Sequence, residues 1–151
     1  MASGISGQAL RRNLYGQSVT RAAANLPATT SGNLFSVSGR VIVTTIVGQV
    51  VTAIQAQANA VKLEAFLTAA AAATDLCATA ESNGQGVGKL FGITGAVGTA
   101  GVFGYGVPQT NELVINGPGF IRLNTAATNT GTMSWTVTYI PLDDGAAVAA
   151  V

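Results

Sequence analysis

The side chains able to do chemistry are few in this 151-residue chain, and their spacing matches none of the common reaction centres. There is no histidine, so no imidazole can act as general base, activate a serine or cysteine, or ligate a metal. The single cysteine, Cys77, lies among the small residues of 74–80 and reads as a buried packing residue; one cysteine allows no internal disulfide. The six carboxylates are scattered. A glycosidase needs two of them about 5–10 Å apart across a cleft, and no spacing selects a pair such as Glu64 with Glu112. The sequence predicts no enzyme and no cofactor.

Three short motifs come near to binding sites without completing one. Gly84-Gln-Gly-Val-Gly-Lys-Leu90 resembles a phosphate loop, but Asn83 stands where the first glycine is needed and Leu90 where Ser or Thr must follow the lysine. The dinucleotide pattern fails as well, because its third glycine falls on Lys89. Asp143-Asp144 could touch a calcium ion, yet two acids beside Gly145 with no further ligands describe a turn, and no metal is expected there. Arg11-Arg12 with Tyr15 could meet either a nucleic-acid backbone or an acidic protein surface. Three cations make a weak nucleic-acid footprint, so the protein surface is the favoured reading.

Composition narrows the class. Hydrophobic residues make up 48% of the chain and charged ones 9%, against about 25% charged in ordinary soluble domains. A surface so poor in charge is poorly protected against association, which predicts self-association. The net charge is +1 but unevenly placed. Residues 1–33 hold Arg11, Arg12 and Arg21 and no acid, while the remainder sets four cations against six acids. A basic leader precedes a slightly acidic body, and neither predicts a nucleic-acid or membrane partner. No apolar h-region follows the first basic residues. The longest uncharged apolar run, 65–73, is about half of the ~20 residues a membrane helix needs. Synthesis in the cytoplasm is the expectation.

The elements that would carry these residues are strands. Residues 1–32 have no sustained period and read as an extended arm with anchors at Leu10, Leu14, Tyr15, Val19 and Leu26. From Leu34 the texture is β: 40–47 is almost wholly β-branched and predicts a strand covered on both faces, ending at Gly48. Residues 50–58 and 60–67 alternate and predict two further strands about a turn at Asn59-Ala60, although their alanine and glutamine content also suits a helix. Residues 68–74 are expected as a loop or short helix. Glycines at every third position from Gly92 to Gly104 lack the proline of collagen and predict a long apolar loop over 82–106. Strands follow at 112–116 and 120–124 about a turn at Asn116–Gly119. The clearest strand is 132–140, with Met133, Trp135, Val137 and Tyr139 on one face, and it ends at Pro141. The pattern predicts an all-β domain, a sandwich or jelly-roll-like barrel over 33–142, with an arm at 1–32 and a short apolar tail at 143–151.

The block Asn129–Ala146 resembles the C-terminal end of small structural proteins of tailed bacteriophages, in which a T-G-T-x-x-W strand runs into a Y-x-P-L-D-D-G turn. Residues 34–58 look like the first barrel strands of the same proteins. The resemblance implies a virion structural protein. Within that class it points to a capsid cement (decoration) protein, a β-barrel homotrimer on the capsid surface that binds and stabilises the shell. Its partners would be copies of itself and the major capsid protein, with the arm residues Leu10, Arg11, Arg12, Leu14, Tyr15, Arg21 and Leu26 making the attachment. The alternative is a trimeric head- or tail-fibre module binding host-surface glycan. That role asks for exposed aromatic residues, whereas Trp135 and Tyr139 are expected in the core.

Overall fold

The computed structural model describes residues 4–108 and 112–151. One helix and twelve strands follow in chain order: α1 (Gly7–Tyr15), β1 (Gln17–Asn25), β2 (Ser31–Ser38), β3 (Arg40–Thr52), β4 (Ala60–Leu67), β5 (Ala72–Asp75), β6 (Ala80–Glu81), β7 (Leu90–Gly92), β8 (Val102–Gly104), β9 (Leu113–Asn116), β10 (Gly119–Thr125), β11 (Thr132–Pro141) and β12 (Ala147–Ala150). They form two antiparallel sheets packed face to face. Sheet A runs β1-β11-β3-β7-β8, with β9 also on β3; sheet B runs β12-β2-β10-β4-β5, with β6 also on β4. The all-β sandwich is as expected, but the sheets stay separate and do not close into a barrel.

Alternation builds the core. Met133, Trp135, Val137 and Tyr139 of β11 point inward and are buried with Val41, Val43, Ile46 and Val50 of β3. Phe35 and Val37 of β2, Val61 and Leu63 of β4, and Ile121 and Leu123 of β10 face them from sheet B. The indole of Trp135 meets Phe91 edge-on at 5.8 Å, and Phe91 meets Phe103 at 4.8 Å. Such edge-to-face pairs add to simple area burial.

This packing revises several expectations. Gly48 does not end its strand: β3 runs on to Thr52, and Gly48 lies opposite Trp135. A Cβ there would come within 2.9 Å of the indole, so the glycine makes room for the ring. β3 is buried on its inner face only, its outer residues being partly exposed. Residues 53–59 are a loop rather than a strand. In 68–74 a turn leads into β5, which pairs with β4. The glycine-rich segment is not a single loop: it pairs β7 with β8 and sends Phe91 and Phe103 to the core, and a Cβ on Gly101 would collide with the Phe91 ring. The tail supplies β12, which pairs with β2 and buries Val148.

The largest correction concerns the arm. Residues 17–25 are β1, an edge strand zipped along β11 from Gln17↔Tyr139 to Asn25↔Thr132, and residues 31 and 32 already belong to β2. Leu26 is a buried core residue, not an attachment anchor. Arg21 is also engaged within the chain, its Nε donating to the Val151 carbonyl at 2.7 Å. The sandwich therefore begins at residue 17, and the described residues 4–16 stand outside it.

Candidate functional site

The segment outside the sandwich is α1. Ser6 caps its start, its hydroxyl accepting from the Ala9 N–H at 3.1 Å. Gly16 ends it at φ +91°, with its N–H returned to the Arg12 carbonyl at 3.0 Å. That left-handed conformation suits glycine, and a Cβ at Gly16 would collide with the Tyr139 carbonyl. Glycine thus lets the helix lie close against the end of β11. The Thr44 hydroxyl donates to the Tyr15 carbonyl at 2.6 Å and ties the helix end to β3.

The helix packs in an unusual sense. At 3.6 residues per turn Leu10 and Leu14 share one face, while Gln8, Arg12 and Ala9 lie on the other side. The polar side borders the sheet. Gln8, Arg11, Arg12 and Tyr15 line a cleft of about 540 Å³ with Gln17, Ser18, Thr45 and Thr138. Ala9, Arg12 and Asn13 line a second, of about 450 Å³, with Gly16, Gln17, Ile140 and Pro141. No residue of α1 is buried, and Leu10 and Leu14 are 48% and 61% exposed. A helix that folds onto its own domain normally turns its apolar stripe inward; this one presents it to solvent.

Of the four cations outside an ion pair among the described residues, Arg21 donates to the Val151 carbonyl and Lys89 to the Gln85 side chain, and the other two lie on α1. Arg40 pairs with Asp143, Lys62 with Asp75 and Arg122 with Glu64. Arg11 and Arg12 have no acidic partner among the described residues. Arg12 sits in the last turn of α1, where the helix dipole favours a cation; Arg11 has no such local reason. Two guanidinium groups beside Tyr15 offer an array of donors suited to carboxylates.

Most of the remaining reactive side chains bond within the fold. Asp143 accepts from the Arg40 backbone N–H at 2.8 Å and from its guanidinium at 2.6 Å. The guanidinium holds the Asp143 carboxyl below its usual range, and the carboxylate raises Arg40 in turn. The Asp143-Asp144 motif is thus a clasped turn. Glu64 is buried on sheet B, where Arg122 and the Ser31 hydroxyl donate to it. Glu112 lies just before β9 of sheet A. Glu81 accepts from the N–H groups of Asn59 and Asn83, an arrangement that shapes the glycine loop after it. Burial pushes the Cys77 thiol up. No group of three or more His, Cys, Asp or Glu residues gathers into a possible metal site among the described residues.

Of the seven expected attachment residues the structure brings Leu10, Arg11, Arg12, Leu14 and Tyr15 together on α1 and assigns Arg21 and Leu26 to the sandwich. The sequence reading did not anticipate the helix itself. Its signals are the Ser6 cap, the Leu10/Leu14 spacing and Gly16, in a stretch short enough to pass for coil. No family model matches the chain, and neither a curated protein nor a solved structure proves similar to it.

Proposed function

We propose that the chain is a non-enzymatic structural protein of a virion, a capsid cement protein that docks on the shell through α1. The observation that supports this most directly is the outward apolar face of α1, Leu10 and Leu14, beside two arginines without an acid. A helix that neither completes its own core nor pairs its charges suits an acidic, partly apolar protein surface. The phage-like block has a physical description as well: its strand is β11, paired on both sides between β1 and β3, and its turn is the clasp of Asp143 on Arg40. The fibre reading gains nothing from Trp135 and Tyr139, which are buried in the core; its exposed aromatics would have to be Tyr15 and Tyr105.

The test is binding to undecorated capsid shells. Burying a leucine side chain contributes about 1.5–3 kcal/mol, whereas an exposed ion pair contributes about 0–1 kcal/mol. Leu10→Ala with Leu14→Ala should therefore weaken binding by about tenfold or more. Arg11→Ala with Arg12→Ala should cost less. Normal binding by a chain lacking residues 1–16 would refute α1 as the docking element.

A further inference from the structure

The leucines and the arginines of α1 do not point the same way. At about 100° of rotation per residue, Arg12 stands roughly 160° around the helix from both Leu10 and Leu14. Gln8, Arg11, Arg12 and Tyr15 stand three and four residues apart and form one continuous polar face. That face borders the cleft of about 540 Å³ between α1 and sheet A. Arg12 also lines the second cleft, of about 450 Å³, on the other flank of the helix. No carboxylate lines either space. The floor of the larger cleft is bonded within itself. The Thr44 hydroxyl donates to the Tyr15 carbonyl at 2.6 Å, and the Thr138 hydroxyl is bonded to those of Thr44 and Thr45 at 2.7 and 2.5 Å. This chain of hydroxyls holds the helix end against β3 and β11, and the two guanidinium groups are the charged donors that remain to the cleft.

We infer that the cleft between α1 and sheet A takes the acidic side chains of an extended segment of the partner protein. The inference rests on the reading of α1 as a docking element and adds what its arginines meet. A surface lying flat against Leu10 and Leu14 leaves Arg12 on the far side of the helix, facing the sheet. Whatever meets Arg12 must therefore enter the cleft. An extended chain sends alternate side chains to the same face, so acids two residues apart present two carboxylates to two adjacent guanidinium groups. Each guanidinium can bind a carboxylate through two parallel hydrogen bonds. A nucleic-acid strand fits less well. It asks for further cations along its backbone and a succession of stacking aromatics, whereas the cleft adds only Tyr15 to its two arginines.

The experiment is a titration of the isotope-labelled full chain, at low salt, with a capped Gly-Glu-Gly-Glu-Gly peptide, followed by nuclear magnetic resonance. The Gly16 and Ser18 amides and the Arg11 and Arg12 side-chain signals should shift and saturate. A Gly-Gln-Gly-Gln-Gly peptide should leave them in place, and a short oligothymidylate should bind more weakly than the acidic peptide. Arg11→Gln with Arg12→Gln keeps polar side chains of good helix propensity and should weaken peptide binding about tenfold. Ser18→Tyr, at an exposed position of β1, places a ring in the cleft and should weaken binding with both arginines intact. Leu10→Ala with Leu14→Ala should bind the peptide as the parent does. An unresponsive parent, parent-like binding by the arginine or the Ser18 variant, a loss in the leucine variant as large as in the arginine variant, or tighter binding of the oligothymidylate would each overturn the inference. Should the parent ignore the peptide while shell binding still depends on Leu10 and Leu14, the cleft fails and the docking of α1 stands. Should the peptide bind while shell binding survives loss of residues 1–16, the docking fails and the cleft stands.

Discussion

Trp135 shows how a single residue organises its neighbours. Its indole requires the absence of a side chain at Gly48 and fixes Phe91, which in turn requires Gly101 to be bare. Trp135→Ala should cost about 3–5 kcal/mol, the range for a large core ring replaced by a cavity. The denaturant midpoint measures it, and a melt within a degree or two of the parent would refute the packing described. At the surface, Asp143 makes a pH prediction whose sign follows from its surroundings. Its folded pKa is depressed by Arg40, so its contribution is complete above the ordinary carboxylate range and disappears as pH falls through the depressed value. Asp143→Asn should therefore lower the melting temperature slightly at pH 7 and progressively less below about pH 4. Both partners are well exposed, which keeps the effect small. A deficit that persisted unchanged in acid would show that the clasp depends on geometry rather than charge.

Among the elements, the boundary between α1 and β1 decides what can be removed. A chain lacking residues 1–16 keeps both sheets intact and should melt cooperatively near the parent temperature. A chain lacking residues 1–32 also loses β1, the Leu26 core side chain and the start of β2, and leaves the edge of β11 unpaired. It should fail to fold or should aggregate through that open edge. Circular dichroism and sedimentation of the two truncations separate these outcomes. β11, β4 and the turn before β10 were legible in the sequence because apolar and polar residues alternate strictly or turn residues mark their limits. β1 was not. As an edge strand only its inner face meets the core, and Gln17–Asn25 carries serine, threonine and alanine elsewhere, so its period is faint. β7, β8 and β12 have only three or four residues each, too few for a period to appear. Their pairing depends on partners distant in sequence.

For the whole molecule, low charge and polarised surfaces make one prediction that separates the two contacts. Composition alone leads to the expectation that some surface is covered, but it does not say which, because each face of the sandwich is assembled from strands far apart in the chain. The proposed docking through α1 would set two cations against acidic groups, so raising salt from about 0.05 to 0.5 M, which shortens the screening length from about 14 to about 4 Å, should weaken it. Self-association, as expected from so sparse a charge, would rest on apolar surface rather than on charge pairs. It should be indifferent to sodium chloride and strengthened by sulfate, which favours burial of apolar surface. Light scattering and shell binding in the same buffers should therefore move apart, the mass holding while the bound fraction falls. If both fell together, the self-contact would be ionic. If shell binding ignored salt while Leu10→Ala with Leu14→Ala still weakened it, the leucines of α1 would carry the attachment and its arginines would be solvated bystanders.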